Sequence, residues 1–340
     1  MTKQNLTYRF FIFLFFVISY GCQHKTANEG LNISSKIESV KTSKKIIKKR
    51  SVVEKPAVIY RSNDMGLTWS SFANGIPNDA TLSGIKQLGN KVYVTTDYHG
   101  VFVTSNGQDN WTALNFERLK KLDINCIEGD VNKLIIGTLS HGTFVSNNGG
   151  LSWKQSKKNI ENSPVRAFIK TEKKLYVGTD SGIFESFDMG DTWSHAFGQM
   201  QILGFTSLGD KIYAATQNGA LVCNGNSSSW KSIYKGDALH DIGNDGKYVY
   251  AMTIGQQLLK TKNDGELWEN AQSGIIQPQN YYTNELKHIG NNIFSAQWIG
   301  IYHSSNNGNS WRILNGLPDS TAFSTLEITD FGIIAGISIR

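Results

Sequence analysis

The stretch that decides the fold is RSNDMGLTW, residues 61–69, in which serine, aspartate, glycine and tryptophan stand at offsets of 0, 2, 4 and 7. Trp69 is the first of seven tryptophans, which recur at intervals of 42, 42, 40, 37, 38 and 43 residues. The others are Trp111, Trp153, Trp193, Trp230, Trp268 and Trp311. A similar octad precedes each tryptophan, so residues 57–340 consist of a repeated unit of about 40 residues.

Each unit contains the pattern of four short strands. In the third unit, apolar residues alternate in VRAFIKT (165–171), KLYVGT (174–179) and GIFES (182–186), and Gly, Asn or Asp separates the segments. A further strand follows the tryptophan. Period-two alternation between such turn residues predicts β-strands. Four strands in about 40 residues are typical of a propeller blade.

The two ends of the chain predict how the ring closes. The last unit supplies only two strands, over 324–329 and 332–338, whereas the first unit begins with the missing pair, at 57–62 and after Trp69. Joined in one sheet, they complete a seventh blade. An eight-bladed propeller or a sandwich would leave half a blade unpaired. Closure of this kind ties the termini together and removes exposed sheet edges. The predicted fold is therefore an all-β, seven-bladed propeller with four-stranded blades.

The octad resembles the Asp-box, or bacterial neuraminidase repeat, S-x-D-x-G-x-x-W. The copies that fit well begin at Ser62, Ser146, Ser186, Thr261 and Ser304. The copies before Trp111 and Trp230 are degenerate. Asp-boxes occur in sialidases, sortilin-type receptors, some glucan hydrolases and the assembly-factor propellers of photosystem II. The resemblance implies that the boxes lie on the face away from any active site.

The chemistry of the octad is that of a turn. An Asp or Asn side chain accepts hydrogen bonds from backbone N–H groups further on, glycine adopts positive φ, and tryptophan covers the hairpin. Asp alternates with Asn between copies, which a catalytic carboxylate would not tolerate. We therefore expect the octads to be structural. Their residues are Ser62, Asp64, Gly66, Trp69, Ser146, Asn148, Gly150, Trp153, Ser186, Asp188, Gly190, Trp193, Asn263, Gly265, Trp268, Asn306, Gly308 and Trp311.

The N-terminus resembles a bacterial lipoprotein signal. Lys3 and Arg9 precede a short apolar run, and a small residue stands directly before Cys22. The sequence departs from the lipoprotein pattern at Ser19 and Tyr20. The resemblance implies a signal peptide over 1–21 and lipidation of Cys22; secretion with cleavage nearby is the alternative. We expect a lipid-anchored protein of the bacterial cell envelope, held in the outer membrane.

The positive charge of the chain is concentrated before the repeats. Residues 1–58 hold 11 Lys or Arg and 3 Asp or Glu, whereas residues 59–340 hold 23 and 25. The run KTSKKIIKKR, residues 41–50, accounts for much of this excess. A nucleic-acid-binding domain would carry a basic stripe on its folded face. We instead expect residues 22–56 to form a flexible basic tether beside an anionic membrane, and we expect no nucleic-acid partner.

The remaining cysteines, Cys126 and Cys223, fall in different repeats and different strand types. We therefore expect buried free thiols rather than a disulfide. No pattern indicates a cofactor, and we expect a monomeric propeller.

One tryptophan, Trp298, lies outside the octads. It occupies a loop between a second and a third strand, in QWIG at 297–300, and Tyr281 and Tyr282 lie in the loop that enters the same blade. Three clustered aromatic side chains could stack on a sugar or hold a peptide. The alternative is that Trp298 only fills the channel or packs a long loop.

Further candidates lie in the corresponding loops of other blades: Tyr98, His99, His141, Asp180 and, on a nearby strand, Arg166. His99 and His141 occupy matching positions before glycines in neighbouring blades, which makes a metal pair conceivable. No third ligand is evident, and matching positions are normally too far apart. We expect solvated loop histidines and no metal.

An enzymatic function is the alternative hypothesis. The resemblance to sialidases implies an arginine trio, a tyrosine nucleophile with a glutamate partner, and an aspartate acid/base. The body of the chain has only Arg61, Arg118, Arg166, Arg312 and Arg340. Nothing orders them into a carboxylate clamp. No spacing selects a catalytic pair from the loop acids Asp97, Asp180, Glu285 and Asp319. We expect a non-catalytic propeller that binds or scaffolds a protein or glycan partner, with a sialidase-like glycoside hydrolase as the alternative.

Overall fold

A computed structural model describes residues 56–337, except residues 115, 158, 159, 161, 226, 228, 256 and 277–282. The signal predicted over 1–21, with Cys22, and the tether predicted over 22–56 lie outside the described residues, apart from Pro56. Within the described part the chain is almost entirely β, with one 3-10 turn at Glu117–Lys121. The described residues include no helix that is both long and apolar enough to cross a membrane.

The described strands form seven antiparallel sheets of four. The chain begins with two strands of the last blade, β1 (Ile59–Ser62) and β2 (Ser70–Ser71). Blade 1 follows with β3 (Thr81–Leu88), β4 (Lys91–Asp97), β5 (Gly100–Ser105) and β6 (Thr112–Ala113). Blade 2 contains β7 (Ile124–Gly129), β8 (Leu134–Thr138), β9 (Thr143–Ser146) and β10 (Lys154–Gln155). Blade 3 contains β11 (Val165–Lys170), β12 (Leu175–Thr179), β13 (Gly182–Ser186) and β14 (Ser194–Phe197).

The remaining blades repeat this order. Blade 4 contains β15 (Ile202–Leu208), β16 (Lys211–Thr216), β17 (Gly219–Asn224) and β18 (Lys231–Lys235). Blade 5 contains β19 (Leu239–Asn244), β20 (Val249–Thr253), β21 (Leu258–Thr261) and β22 (Glu269–Asn270). Blade 6 contains β23 (Glu285–Ile289), β24 (Asn292–Ala296), β25 (Ile301–Ser304) and β26 (Arg312–Ile313). Blade 7 combines β27 (Phe323–Thr329) and β28 (Gly332–Ile337) with β1 and β2.

The ring closes as the sequence predicts. The sheet order in blade 7 is β2-β1-β28-β27, and β1 pairs with β28 from Ile59 opposite Gly336 to Ser62 opposite Ile333. The first strand of each blade contacts the first strand of the next, and the contact between β27 and β3 completes the circle. The first strands are therefore innermost. The seven-bladed propeller prediction is confirmed.

The core lies between the blades. The second strands β8, β12 and β20 are buried along their whole length, because a neighbouring blade covers each face. The innermost strands differ: five of the eight residues of β3 are only half-buried, since the strand lines the central channel. The inner strands can therefore carry polar side chains toward the axis while the second strands supply the apolar core.

The octad turns have the geometry of a hydrogen-bonded cap. In blade 7, Gly66 N donates to Ser62 Oγ over 2.8 Å, and Thr68 N donates to Asp64 Oδ1 over 2.9 Å. The Thr68 hydroxyl also donates to Asp64 Oδ2 over 2.6 Å. These bonds, the Thr68 hydroxyl foremost, lower the pKa of Asp64 to about 2.

The same turn explains why Asn can replace Asp. In blade 6, Asn306 Oδ1 accepts from Ser310 N over 3.0 Å, as Asp64 does from Thr68. Its other atom, Nδ2, donates to Ser310 Oγ over 2.9 Å. The hydroxyl at this position thus donates to an aspartate and accepts from an asparagine, because a hydroxyl can do both. The structural role predicted for the octads is consistent with this geometry.

Each octad also packs against the preceding blade, which the sequence did not indicate. The octad tryptophans of blades 1 and 6 donate their indole N–H to Phe72 O and Ala271 O, over 2.7 and 2.6 Å, and both acceptors belong to the blade before. The octad glycines have the expected positive φ, 85° at Gly265, for example. A Cβ at Gly265 would overlap the Ile233 carbonyl of blade 4. The octads therefore join blades as well as close hairpins.

Candidate functional site: the central channel and its loop face

The seven inner strands surround a central cavity of about 580 Å³. Because strands alternate in direction, the octads and the turns after the inner strands share one end of this channel, which we call the octad face. The loops between second and third strands and the loops between blades share the other end, the loop face. Side chains that point to the axis and lie near the beginnings of the inner strands are therefore reached from the loop face.

Trp298 lies at the loop face and lines the central cavity. Its loop is tightly fixed: Gln297 N donates to Gly300 O over 3.0 Å, and Gly300 adopts φ of 75°. The buried Gln297 amide donates to Thr283 Oγ1 over 2.9 Å and to Ser295 Oγ over 2.7 Å. The half-buried indole is thus held at the channel mouth by its loop. Tyr281 and Tyr282, predicted to join it, lie outside the described residues.

Arg166 and Asp180, two separate candidates from the sequence, form a single ion pair. Arg166 Nε and Nη2 donate to the two carboxylate oxygens of Asp180 over 2.8 and 3.1 Å. Two such hydrogen bonds fix the orientation of the Arg166 guanidinium relative to the Asp180 carboxylate. Arg166 also lines the central cavity. Because the Arg166 charge is already matched, the pair does not form the carboxylate clamp that a sialidase would require.

Tyr98, His99 and His141 lie on the loop face but are not among the residues that line the cavity. Tyr98 is 62% exposed. His99 Nδ1 lies 3.1 Å from Asp97 O, and His99 Nε2 lies 3.5 Å from Asp79 Oδ1. His141 is exposed. In the part of the chain that the structure describes, no group of three or more His, Cys, Asp or Glu could hold a metal ion.

The channel wall contains a charged layer that the sequence did not single out. Lys287 of β23 lies between two carboxylates, with Nζ 3.0 Å from Glu285 Oε1 and 3.2 Å from Glu327 Oε2 of β27. Glu285 also accepts from Leu326 N over 2.6 Å, and thus joins blades 6 and 7. Glu285, expected in a loop, is the first residue of β23. The third carboxylate, Asp241 of β19, lines the same cavity.

The pKa shifts in this layer follow from its charges. Burial, and then the Glu285 carboxylate, raise the pKa of Asp241 to about 7. Burial opposes the charge of Lys287, but Glu285 and Glu327 hold the pKa of that amine above its usual range. The signal that could have revealed the layer is the spacing of Glu285 and Lys287 two residues apart, which places both on one face of a strand, where unpaired charges are rarely buried.

Comparisons with known proteins show the fold. No protein-family model matches the chain, and no curated protein matches it. Among solved structures, YCF48 from Cyanidioschyzon merolae superposes with a TM-score of 0.59 at 13% identity, over 77% of this chain and 97% of that one. YCF48 bound to a D1 peptide gives a TM-score of 0.59 at 15% identity, over 78% and 96%.

Two larger proteins contain a similar propeller. The extracellular domain of BT4673 from B. thetaiotaomicron matches with a TM-score of 0.63 at 15% identity, over 78% of this chain and 39% of that one. A GH74 xyloglucanase from Xanthomonas campestris matches with a TM-score of 0.61 at 14% identity, over 82% and 52%. The chain thus spans about half or less of these two proteins. Propellers of similar shape therefore include a peptide-bound protein and a glycoside hydrolase, and shape alone does not distinguish them.

Proposed function

We propose that this propeller is a non-catalytic binding module that holds a peptide segment of a protein partner at its loop face. The observation that carries the proposal is the cavity of about 580 Å³ with Trp298 fixed at its mouth. A rigid aromatic side chain beside a concave polar cavity is the arrangement that anchors partners in many interfaces. Because hydrogen bonds hold the Trp298 loop, the site needs little ordering when it binds.

The structural neighbours support a peptide rather than a glycan as the partner. YCF48, which this chain covers almost completely, has been solved with a D1 peptide. The xyloglucanase is a longer protein, of which the propeller is about half.

We further propose that the octads are Asp-boxes and that Cys22 carries a lipid that anchors the protein to the bacterial outer membrane. The hydrogen bonds between Ser62, Asp64, Gly66 and Thr68 support the Asp-box assignment, since the serine, aspartate and glycine of the pattern all take part in the turn. The apolar run followed by a small residue and cysteine supports the anchor.

A glycoside hydrolase is the second candidate, and one observation favours it. Asp241, with a pKa raised to about 7, shares a cavity with Glu285. One protonated and one ionised carboxyl group are what glycoside hydrolysis uses. Against this, Glu285 is committed to Lys287 and Leu326 N, so it is poorly placed to act as base or nucleophile.

The test is capture of partners from envelope extract by the purified protein, with wild type compared to Trp298→Ala. We expect the variant to lose captured partners by about tenfold or more, as for a central aromatic anchor. Phe187→Ala is the matched control, because Phe187 is 71% exposed on the octad face. Equal capture by wild type and Trp298→Ala would overturn the proposal.

The hydrolase alternative is tested in the same preparations with a panel of fluorogenic sialosides and β-glucosides. We expect the protein to release no more of the fluorescent group than a heat-denatured sample does. Release that Asp241→Asn abolishes, in a variant with an unchanged circular dichroism spectrum, would establish the enzyme and replace the binding module.

A further inference from the structure

The charges that line the channel do not balance. Two of its cations are each matched by one carboxylate: Lys86 Nζ lies 3.0 Å from Glu128 Oε2, and Arg166 is paired with Asp180. The third cation, Lys287, faces three carboxylates in its layer, from Asp241, Glu285 and Glu327. With all groups ionised, this layer has a net charge of −2.

Asp241 is the carboxylate of this layer that does not contact the Lys287 amine. In the part of the chain that the structure describes, no lysine or arginine nitrogen lies within 4.0 Å of it, whereas Glu285 and Glu327 both contact Lys287. Its stabilising hydrogen bond comes from its own strand, at Ile242 N. Asp241 is partly buried, and Lys287 acts on it only from beyond direct contact, so its charge is incompletely compensated, which is costly. The histidines His240 and His288 also line the cavity.

The channel wall has a glycine next to the Asp241 carboxylate. Gly204 of β15 lies beside Asp241, and a Cβ at Gly204 would overlap Asp241 Oδ1. The backbone of Gly204 does not have positive φ, so the glycine is needed for space rather than for conformation. The neighbouring strand thus omits a side chain at the point where the Asp241 carboxylate faces the cavity.

The layer is within reach of the loop face. Asp241 is the third residue of β19 and Glu285 is the first residue of β23. At about 3.3 Å per residue, both lie within roughly 7 Å of the beginnings of their strands. Trp298 lines the same cavity at that end. An indole face attracts a cation that passes it.

We propose that the channel is a binding site for a lysine or arginine side chain, inserted from the loop face past Trp298 toward Asp241 and Glu285. The inference rests on the proposed peptide-binding function and names the chemistry that the partner must present. A cation supplies the missing counter-charge to Asp241. An anionic side chain is repelled, and a neutral one leaves the carboxylate uncompensated.

The experiment uses blocked five-residue peptides, N-acetylated and C-amidated, with two glycines on each side of a central residue. The central residue is lysine, arginine, norleucine or glutamate. Binding to the purified protein is followed by NMR at the Trp298 indole N–H, assigned with Trp298→Phe. We expect lysine and arginine peptides to bind about tenfold more tightly than norleucine, and glutamate not to bind. Added salt should weaken the cationic peptides because it screens the charges.

Two variants locate the site. Asp241→Asn should weaken lysine-peptide binding about tenfold, since it removes the uncompensated charge. Asp188→Asn removes the same charge on the octad face, where other octads carry Asn, and should leave the affinity unchanged. Should Asp241→Asn fail to fold, Glu327→Gln serves in its place, and the comparison of lysine with norleucine on wild type needs no variant.

The outcomes separate this inference from the proposed function. The cation site is wrong if the norleucine peptide binds as tightly as the lysine peptide, if the lysine peptide does not bind at about 10 mM, or if Asp241→Asn leaves lysine-peptide binding unchanged. None of these results contradicts partner capture that depends on Trp298. If lysine peptides bind in the channel but partner capture does not depend on Trp298, the cation site stands and the docking function is wrong.

Discussion

Asp64 in an octad turn and Asp241 in the channel wall are the same residue type with opposite pKa shifts. Hydrogen bonds from Thr68 and Ser62 lower the pKa of Asp64 to about 2, whereas burial and Glu285 raise that of Asp241 to about 7. The octad carboxylate is satisfied within its own turn, and its arrangement recurs in several blades. The channel carboxylate accepts a hydrogen bond from Ile242 N, but no lysine or arginine nitrogen of the described residues lies within 4.0 Å of it. Repeated polar groups stabilise the octad turns, whereas the channel carboxylate departs from the repeat and is the group that the proposed cation site uses.

The largest expected effect tests the packing of the octads. Gly265→Ala places a methyl group against the Ile233 carbonyl at φ of 85°. We expect it to lower the free energy of unfolding by about 3 kcal/mol, because backbone strain and steric overlap add. Gly209→Ala is the control, since Gly209 has φ of 58° but open space around it; it should cost about 1 kcal/mol. Urea unfolding measures both, and equal losses would show that the octads do not pack tightly between blades.

The second prediction concerns Asp241. The pKa of Asp241 is about 7 in the folded protein, against an ordinary value of 3.8. Ionisation of Asp241 therefore destabilises the folded state increasingly as pH rises from about 4 to 7, and the loss of stability is complete above pH 7. Asp241→Asn removes that penalty. A shift from 3.8 to about 7 corresponds to about 4 kcal/mol, and partial exposure of Asp241 to solvent reduces it, so we expect the variant to gain about 2 kcal/mol over wild type at pH 8 and little at pH 4. Melting temperatures across this range provide the measurement, and a gain independent of pH contradicts the assignment.

The third prediction compares two octad tryptophans. Trp311 donates to Ala271 O of the preceding blade over 2.6 Å, whereas Trp69 Nε1 has no hydrogen-bond partner among the described residues. Trp311→Phe should therefore destabilise the protein by about 1 kcal/mol more than Trp69→Phe, by leaving the Ala271 carbonyl unpaired. Chemical unfolding of the two variants decides this. A larger loss for Trp69→Phe would mean that the indole bond does not join the blades.

The smallest effect is expected for Asp64→Asn. Asn306 makes the equivalent bonds with its amide, so the variant turn can keep its acceptor and reverse the hydroxyl of Thr68. We expect no change in Tm near pH 7. Because the folded pKa of Asp64 is lowered, its contribution to wild-type stability is present above about pH 4 and is lost as pH falls toward 2. A large loss of Tm near pH 7 would remove the distinction between octad and channel carboxylates.

The fold could be predicted from the sequence because each repeat contains an octad whose turn residues and tryptophan mark the unit. The seven octad tryptophans, about 40 residues apart, indicated seven blades. The half-units at the two ends predicted the joined sheet of β27, β28, β1 and β2. The local hydrogen bonds of Asp64 could also be predicted, since they join residues four or fewer positions apart. Trp298 was distinguishable because it is the one tryptophan outside the octads.

The ion pair of Arg166 with Asp180 and the layer around Lys287 could not be predicted in this way. Glu285 and Glu327 are 42 positions apart, and their meeting at Lys287 depends on how blades 6 and 7 pack around the axis. Likewise, nothing in the local sequence of Gly204 shows that it makes room for Asp241.

The sequence by itself determined the number of blades, the position of the closure and the structural character of the octads, because short-range periodicity and turn chemistry specify each of them. Only the tertiary structure decided which side chains share the channel and which of the described carboxylates there lies beyond contact with a lysine or arginine. The physical reason is that a charge is balanced by whatever lies within a few ångströms, and in a propeller some of those neighbours, such as Glu327 beside Lys287, come from a strand about 40 residues away.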